Sequence, residues 1–422
     1  MAFNIPRGTQ DLLPGVSEQW QWVESVAREV SRKYNYQEIR TPIFETTEIF
    51  QRSVGDSTDI VQKEMYTFQD RGGRHLSLRP EGTASVARSF VENKMHGNVT
   101  QPVKMYYIGP MFRYERPESG RMRQFHQFGV EAIGSDDPAI DVETIALAMD
   151  FYKACGLDNL KLVLNSLGDK EVRKNHRKAL VAHFSDRIDE FCSDCQGRLE
   201  TNPLRILDCK VDRNHELVQS APSIQEYLNE TSVQYFDKVK QLLEDIGISY
   251  VVDPNLVRGL DYYTNTAFEI MLDEPEFGAI TTLTGGGRYE GLIEEFGGPK
   301  TSGIGFGLSI ERVLMALEAR NKLPEVGSSL DVFVVAVGEK ENDKATTLLH
   351  DLRQAGISCD KDYAGKKMKA QFKSADRVNA SRVIVIGEQE LESGIVNVKN
   401  MESGEQEQVS FEHLVAHLTS LI

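Results

Sequence analysis

Apolar and polar positions around residue 110 follow one another in a way that is typical of paired strands. A largely apolar stretch runs from Met105 to Phe112, and a second stretch, from Gln124 to Ile133, alternates between apolar and polar residues. Such patterns predict strands, the second with one apolar and one polar face. We therefore predict two antiparallel strands joined by a long loop. The loop contains four arginines, which are Arg113, Arg116, Arg121 and Arg123.

The N-terminal residues predict a helix followed by an edge strand. Ser17 is a candidate cap for a helix whose apolar positions, from Val23 to Tyr34, recur at helical spacing. Residues 39–44 predict a short strand, and Pro42 within it favours a sheet edge because proline has no backbone N–H to donate. We interpret the apolar stripe as core or as a subunit interface.

Further elements lie on both sides of the central strand pair. Residues 64–78 predict a hairpin, and Thr83 is a candidate N-cap for a helix that reaches Phe90. The later predicted elements are a helix at 139–156, strands at 161–167, 250–253, 267–272 and 280–283, and a helix at 309–320. The block 170–248 is charged and helix-patterned, so we interpret it as an insertion between two parts of the sheet.

The pattern changes after a predicted linker at 323–329. Strands and helices then alternate, which predicts a small α/β domain with a mixed sheet at 330–422. One predicted helix of this domain, at 367–379, carries several lysines on or beside it. A solvated helix face and an RNA-facing surface both explain them. These lysines are Lys366, Lys367, Lys369 and Lys373.

Composition and charge narrow the class of protein. The chain has 422 residues, 40% of them hydrophobic, and a formal net charge of −16. A charge of that sign argues against a nonspecific nucleic-acid coat protein, although a local basic patch still allows RNA binding. The N-terminus has no signal pattern and no apolar run is long enough for a membrane span. We expect a cytoplasmic protein that does not associate with membranes.

Five cysteines in such a chain predict free thiols and not a disulfide framework. Cys192 and Cys195 have the spacing of half a tetrahedral zinc site, with Cys209, His183 and His215 nearby in the sequence. No second cysteine pair completes the site. The expectation is therefore reduced structural thiols, with no zinc and no other protein-held metal.

The loop arginines and the glycines suggest a nucleotide site of an uncommon kind. An arginine fork matches two phosphate oxygens, and Phe125, next to the loop, offers a flat face to a base. No G-x-x-x-x-G-K-[ST] phosphate loop occurs in the chain, and the glycines from Gly303 to Gly307 lack the spacing and βαβ context of a dinucleotide fingerprint. The glycines at 285–287 allow close backbone approach to a ligand or form a mobile turn.

Several stretches together resemble a known family. Phe112-Arg113-x-Glu115 with Arg123-x-Phe125 resembles motif 2 of class II aminoacyl-tRNA synthetases, and the segment 303–312 resembles motif 3. Arg40-Thr-Pro42 resembles the end of motif 1. The segments 256–264 and 284–289, with the opening Pro6-Arg-Gly-Thr-Gln-Asp11, are similar to segments of the histidyl-tRNA synthetase family. The resemblance covers essentially the whole chain.

The resemblance implies a fold and a domain organisation. It implies an α+β catalytic domain at 1–325, with a class II synthetase-type antiparallel sheet flanked by helices and the mainly helical insertion at 170–248. It implies an anticodon-binding domain at 330–422. Its motif 1 implies a homodimer.

The resemblance also implies a reaction and its residues. The reaction is ATP-dependent activation of L-histidine to histidyl-adenylate, with release of diphosphate, and then transfer to the 3′ end of tRNA(His). Mg²⁺ accompanies ATP, and no editing domain is expected. The implied catalytic residues are Arg258 and Arg113. The implied histidine-binding residues are Glu81, Thr83, Gln127, Glu131, Arg258, Tyr262 and Tyr263. The implied ATP-binding residues are Arg113, Glu115, Phe125 and Arg312.

Two other functions fit parts of the pattern. One is a catalytically silent relative that serves as a regulatory subunit of ATP phosphoribosyltransferase. Arg113, Arg258, Arg312 and the C-terminal domain, which such a subunit lacks, argue against it. The other is a class II synthetase for threonine or proline, and the segment from Arg258 to Tyr263 argues against that.

Overall fold

The chain forms two compact units, Met1–Pro324 and Glu325–Ile422. The structure is a computed structural model that describes residues 3–55, 58, 60–118, 120–209, 211–257, 262–272, 282–325 and 330–421. None of the helices within these ranges is both long and apolar enough to cross a membrane.

The first unit contains a large sheet, a small sheet and helices on both sides of the large sheet. Its helices are Ser17–Lys33 (α1), Thr47–Val54 (α2), Thr83–Glu92 (α3), Met95–Asn98 (α4), Pro138–Ala154 (α5), Lys170–Phe184 (α6), Ser193–Thr201 (α7), Glu216–Gln219 (α8), Glu230–Asp245 (α9), Leu292–Glu295 (α10) and Ile310–Ala319 (α11). Its strands are Gln37–Glu38 (β1), Phe44–Thr46 (β2), Thr67–Gln69 (β3), His75–Leu78 (β4), Val103–Phe112 (β5), Gln124–Ile133 (β6), Leu160–Ser166 (β7), Tyr250–Val252 (β8), Tyr263–Leu272 (β9), Thr282–Tyr289 (β10) and Gly303–Ser309 (β11).

The large sheet is mostly antiparallel, and the predicted strand pair lies within it. Among the described residues its strand order is β1-β5-β6-β11-β10-β9-β7-β8. Strands β5 and β6 pair antiparallel over their whole lengths, from Val103 opposite Ile133 to Phe112 opposite Gln124. Only the outer pairs, β1 with β5 and β7 with β8, run parallel. The predicted antiparallel sheet flanked by helices is confirmed.

The strand predicted at 39–44 is wrong. Only its last residue, Phe44, is extended into β2, which pairs with β4 in the small sheet β2-β4-β3. The side chain of Arg79 explains the difference, because its Nη1 donates to the carbonyl oxygen of Thr41 at 3.1 Å. Its Nε donates to the carbonyl of Pro110 at 2.9 Å. A distant side chain therefore takes a carbonyl that a strand would offer to a neighbour.

Two hydrophobic cores cover the two faces of the large sheet. One face packs against α1, α5, α9 and α11, and Phe128 and Phe306 are fully or nearly fully buried in that core. The apolar stripe of α1, including Val23 and Val30, belongs to this core. The stripe is thus core, one of the two interpretations that the sequence left open. The opposite face packs against α3 and carries Tyr107 and Tyr263.

The insertion between β7 and β8 is helical and has a core of its own. Helix α6 begins after Asp169, whose carboxylate accepts from the backbone N–H groups of Glu171 and Val172. Three 3-10 turns separate the other helices, at Ser185–Glu190, Pro203–Ile206 and Ile224–Tyr227. The separate core contains Leu180, Phe184, Phe191, Cys195, Ile206 and Cys209.

The second unit is the predicted α/β domain with a mixed sheet. Its strands are Val332–Ala336 (β12), Cys359–Lys361 (β13), Arg382–Ile386 (β14), Ile395–Asn400 (β15) and Gln406–Ser410 (β16). Its helices are Glu339–Gln354 (α12), Met368–Arg377 (α13), Glu388–Ser393 (α14) and Phe411–Leu421 (α15). Strand β12 runs parallel to β13 and β14, whereas β14, β15 and β16 are antiparallel. The four lysines on or beside α13 are all exposed.

Candidate active site

An open cavity of about 630 Å³ lies over the α3 side of the large sheet. Strands β5, β6, β9, β10 and β11 contribute to its lining, and so do the loop between β5 and β6 and part of the insertion. Most of the predicted site residues meet here. They are Glu81, Thr83, Arg113, Glu115, Phe125, Gln127, Tyr262, Tyr263 and Arg312. Arg258 lies outside the described residues.

Glycines leave room for large side chains under this cavity. Gly285, Gly286 and Gly287 are part of strand β10, so the mobile turn suggested by the sequence is wrong, whereas Gly285 does line the cavity. A Cβ on Gly287 would lie 2.8 Å from the ring of Tyr263. A Cβ on Gly305 of β11 would lie 2.2 Å from Oε2 of Glu131. Both contacts are too short, so these glycines allow Tyr263 and Glu131 to occupy the interior.

Arginines form one end of the cavity. The Nε of Arg113 donates to the carbonyl of Pro80 at 2.9 Å, and its guanidinium carbon lies 5.3 Å from the ring centroid of Phe125. Glu115 lies 3.8 Å from Arg113 and 3.6 Å from Arg121. The Nη1 of Arg312 donates to the carbonyl of Thr282 at 2.6 Å.

The charge of Arg312 is influenced by two further arginines, Arg113 and Arg121, and by the carboxylate of Glu115. Burial lowers the pKa of Arg312 below its ordinary value, and repulsion from Arg121 and Arg113 adds to the shift, while Glu115 opposes it. Arginines that repel one another in a partly buried cavity favour the binding of an anion. Helix α11 begins at this point because the Ser309 hydroxyl accepts from the backbone N–H of Arg312.

Buried carboxyl groups lie beside the other end of the cavity. Both oxygens of Glu81 accept backbone N–H groups at the start of α3, from Thr83 at 2.7 Å and Ala84 at 2.8 Å. Helix α3 begins at Thr83 with Gly82 as its N-cap, so the N-cap predicted at Thr83 is wrong, and the Thr83 hydroxyl donates instead to Glu131 at 2.7 Å. Tyr289 donates to the second oxygen of Glu131 at 2.9 Å. Glu131 thus lies behind Thr83 and does not itself line the cavity.

Burial makes both carboxyl groups harder to ionise. It raises the pKa of Glu131 from 4.5 to about 8, although the hydrogen bonds from Thr83 and Tyr289 oppose the shift. Burial also raises the pKa of Glu81, against the two backbone donors. A cationic ligand group nearby would favour the ionised forms, so these carboxyl groups are suited to a ligand that carries N–H donors.

Two polar atoms at this end have no partner among the residues that the structure describes. They are the Oε1 of Gln127 and the hydroxyl of Tyr262, and both are buried. An unpaired buried polar atom is unfavourable, so each is available to a polar ligand. Gln127 lies on the same face of β6 as Phe125 and Glu131, as the alternating pattern predicts.

Comparisons with known proteins agree along the whole chain. The family model described as histidyl-tRNA synthetase matches residues 8–313, and the anticodon binding domain model matches residues 331–421. The histidine–tRNA ligase of Bacillus licheniformis is 64% identical over 418 residues, which is 99% of both chains. That of Anoxybacillus flavithermus is 62% identical over 100% of both chains.

The solved structure of apo histidyl-tRNA synthetase from S. aureus has a TM-score of 0.86 and 51% identity, covering 99% of this chain and 100% of that one. This decides the family. The chain belongs to the histidyl-tRNA synthetase family. The predictions of that family and of an aminoacyl-tRNA ligase are thereby confirmed.

The segment 284–289, which resembles a stretch of the histidyl-tRNA synthetase family, has its side chains on two faces of β10. Tyr289 points to Glu131, whereas Arg288 points to the opposite face and pairs with Asp141 of α5. The side chains of both members of this pair are at most 1% exposed. Arg288 therefore stabilises the face of the sheet that packs against α5 and does not line the cavity.

Two residues near the site were missed by the sequence analysis. Glu311, in the segment that resembles motif 3, accepts from the backbone N–H of His126 at 2.8 Å and so ties α11 to β6. Asp212 lies with Cys192, Cys195 and Cys209, and their ligand atoms are all within 4.8 Å of one another. Cys209 and Asp212 are three residues apart, as are Cys192 and Cys195. That repeated spacing could have indicated a second pair of ligands from the sequence alone.

The buried carboxyl of Glu131 predicts a pH-dependent loss of stability. Its raised pKa means that the stability present below pH 4.5 is lost as the pH rises through about 8. The Glu131→Gln side chain cannot ionise. As the pH rises between these two values, the unfolding free energy of the variant minus that of wild type should therefore increase by about 1.4 kcal/mol per pH unit. Urea unfolding at several pH values measures the difference. Glu118→Gln, at an exposed position, is the control, and parallel pH profiles for wild type and Glu131→Gln would contradict the prediction.

Proposed function

We propose that the protein activates L-histidine with ATP to histidyl-adenylate, releases diphosphate, and transfers histidine to the 3′ end of tRNA(His). The proposal rests on one observation, the lining of the cavity. A single cavity joins an arginine-lined end, suited to phosphates, to an end with a buried carboxylate and unpaired polar atoms, suited to a polar amino acid. The family to which the chain belongs supports the same reaction.

The chemistry of the first step explains why the arginines matter. A carboxylate attacks an α-phosphate, and two anions must meet in line. Alignment and charge neutralisation supply most of the rate in such a step. We assign Arg113 to the α-phosphate and Arg312 to the terminal phosphates, with Phe125 stacking on adenine beside Glu115. Arg258 is assigned as a second fixed cation at the α-phosphate, opposite Arg113.

The other end of the cavity would recognise histidine. We assign Glu81, Thr83 and Gln127 to the amino-acid end of the substrate. We assign Tyr262 and Tyr263 to the imidazole ring, and Glu131, which lies behind Thr83, to holding the Thr83 hydroxyl in position beside it. A site that hydrogen-bonds the substrate rejects apolar analogues strongly, because those leave buried polar groups unpaired.

Mg²⁺ would arrive with ATP. The oxygen ligands that it prefers are phosphates, water and one or two carboxylates, and Glu115 is a carboxylate in the cavity lining. Bound there, Mg²⁺ would neutralise phosphate charge. The residues of the chain itself hold the phosphates in place and position the carboxylate that attacks.

The two units divide the work in this proposal. Residues 1–325 would catalyse the reaction, and residues 330–422 would bind the anticodon of the tRNA, with the exposed lysines of α13 facing RNA. The protein would act in the cytoplasm. A regulatory subunit of ATP phosphoribosyltransferase remains the second candidate, and no feature of the cavity favours it.

Pyrophosphate exchange tests the first step. Wild-type protein is assayed for ATP–pyrophosphate exchange with each of the twenty amino acids in turn. We expect exchange with histidine well above that with the other nineteen. Exchange with threonine or proline would show another synthetase. Absence of exchange with any amino acid would favour the regulatory subunit.

We also propose a homodimer, and it gives a further prediction. Ile43, Phe44 and Phe68 form an exposed apolar group at the small sheet, each at least 43% exposed, with the rings of Phe44 and Phe68 6.5 Å apart. Burial against a second copy would remove this surface from water. Sedimentation should give twice the chain mass of 47.5 kDa. The double variant Phe44→Lys, Phe68→Lys should sediment as a monomer.

Val251→Lys is the control for that experiment, because Val251 is also exposed but lies on β8, an edge strand of the large sheet, and not on the small sheet. It should leave the dimer intact. A wild-type species near 47.5 kDa alone, or a double variant that stays dimeric, would overturn the proposed dimer or its face.

A further inference from the structure

The insertion contains a cluster of four groups that the reaction does not use. We propose that Cys192, Cys195, Cys209 and Asp212 bind one Zn²⁺ ion in a structural, four-coordinate site. This proposal reverses the expectation of reduced thiols. It rests on the placement of the four side chains and does not depend on the proposed reaction.

The distances fit a tetrahedral ion. Zinc lies about 2.3 Å from a thiolate sulfur and about 2.1 Å from a carboxylate oxygen, so tetrahedral ligands are separated by about 3.8 Å between two sulfurs and about 3.6 Å between sulfur and oxygen. The Sγ atoms of Cys192 and Cys209 are 3.8 Å apart. The Sγ of Cys209 is 3.5 Å from Oδ2 of Asp212. All four ligand atoms lie within 4.8 Å of one another, so the longest separation exceeds the tetrahedral value by no more than about 1 Å, and small side-chain rotations bring all four onto one ion.

The four groups come from two local pairs with the same spacing. Cys192 lies just before α7 and Cys195 within its first turn, whereas Cys209 and Asp212 follow the 3-10 turn that ends at Ile206. Paired ligands three residues apart, supplied by two separate segments, are the usual construction of a structural zinc site. The carboxylate of Asp212 occupies the place of the fourth cysteine.

The surroundings of the cluster support a ligand role for Asp212. The backbone N–H of Cys192 donates to both oxygens of Asp212, at 3.4 and 3.2 Å, and so orients the carboxylate toward the sulfurs. The two nearby histidines are used elsewhere. His183 Nε2 bonds the carbonyl of Leu217, and His215 bonds Glu190 and the backbone N–H of Leu217. The donor set is therefore three sulfurs and one oxygen.

A metal would also explain how so small a core is stable. Among the described residues, the separate core of the insertion has six buried members, and Cys195 and Cys209 are two of them. Small cores are commonly stabilised by a structural metal. Cys192 and Cys209 line the candidate cavity as well, so the ion would fix one of its walls. On binding, each thiol releases its proton to solvent, and the thiolates and the carboxylate are the donors.

Metal content tests the proposal. The full chain is purified without chelators, dialysed, and analysed for zinc by mass spectrometry. We expect about one zinc per chain.

Two variants of Asp212 show whether it binds the metal or only accepts the backbone N–H of Cys192 at the start of α7. Asp212→Asn keeps an acceptor for the Cys192 N–H but loses the charged ligand, and it should weaken zinc binding at least about tenfold. Asp212→Cys loses that acceptor but completes a four-cysteine site, and it should retain zinc.

Cys359→Ser is the matched control, because Cys359 is also a buried free cysteine but belongs to the second unit. It should retain the metal. Wild-type protein stripped of metal and reduced should bind one Co²⁺ with the thiolate charge-transfer absorption of a sulfur-rich tetrahedral site, a test that needs no variant. Wild-type protein with no zinc and no Co²⁺ uptake would overturn the proposal, and so would a disulfide between Cys192 and Cys209.

Discussion

Arg113→Ala is expected to slow histidine-dependent pyrophosphate exchange on the order of 10²–10³-fold, the effect of removing one preorganised donor from a developing charge. Arg113 lies in the cavity with its Nε held by the carbonyl of Pro80, which fixes the guanidinium in place. If the arginine acts chiefly in the transition state, the rate constant should fall far more than histidine binding weakens.

Two further variants make that experiment specific. Arg113→Lys keeps the charge but loses the fork, so it should recover only part of the rate. Arg116→Ala is the control, because Arg116 is an exposed arginine of the same loop and does not line the cavity. It should leave exchange near the wild-type rate. An Arg113→Ala protein with a normal rate and only a raised histidine KM would remove Arg113 from the catalytic assignment.

Asp141→Ala is expected to destabilise the first unit by about 3–5 kcal/mol, because it leaves the buried charge of Arg288 without the carboxylate that neutralises it. The Nε of Arg288 lies 3.1 Å from Oδ1 of Asp141, and Asp141 also accepts hydrogen bonds from Thr266 and Tyr235. The double variant Asp141→Leu, Arg288→Met removes both charges. It should recover part of the loss, since an apolar pair can replace a buried ion pair.

The two tryptophans of the chain make this measurable. Trp20 and Trp22 both belong to α1, so their fluorescence during urea unfolding reports on the first unit. Glu29→Ala, which removes an exposed ion pair with Arg32 on the same helix, is the control and should leave the midpoint unchanged. A midpoint for Asp141→Ala equal to that of wild type would show that the pair does not stabilise the sheet.

The sequence predicts those elements whose formation depends on the pattern of neighbouring apolar and polar residues. The alternation from Gln124 to Ile133 predicted β6 and the common face of Phe125, Gln127 and Glu131. The apolar stripe of α1 predicted a buried face. Strand β16 was missed because Gln406–Ser410 lies at the edge of its sheet and is mostly polar and exposed, so it has no apolar alternation to detect.

The remaining differences have causes that lie far away in the sequence. Arg79 captures the carbonyl of Thr41 and prevents the strand predicted there. Gly286 and Gly287 lie in a strand and not in a turn, and they are glycines because Phe268 and Tyr263 fill the space that their side chains would need. The pairing of Asp212 with three cysteines depends on a turn that brings two segments together. Such contacts are properties of the folded chain, and no window of sequence contains them.

Charging of tRNA shows whether the protein carries out both steps of the proposed reaction. Radiolabelled histidine, ATP, Mg²⁺ and a tRNA(His) transcript are incubated with the wild-type protein, and label bound to RNA is measured. We expect ATP-dependent attachment of histidine that is abolished when the 3′-terminal ribose is oxidised with periodate, and little attachment to tRNA(Pro) or tRNA(Thr). Formation of histidyl-adenylate without any label on tRNA(His), or label that persists on oxidised tRNA, would contradict it.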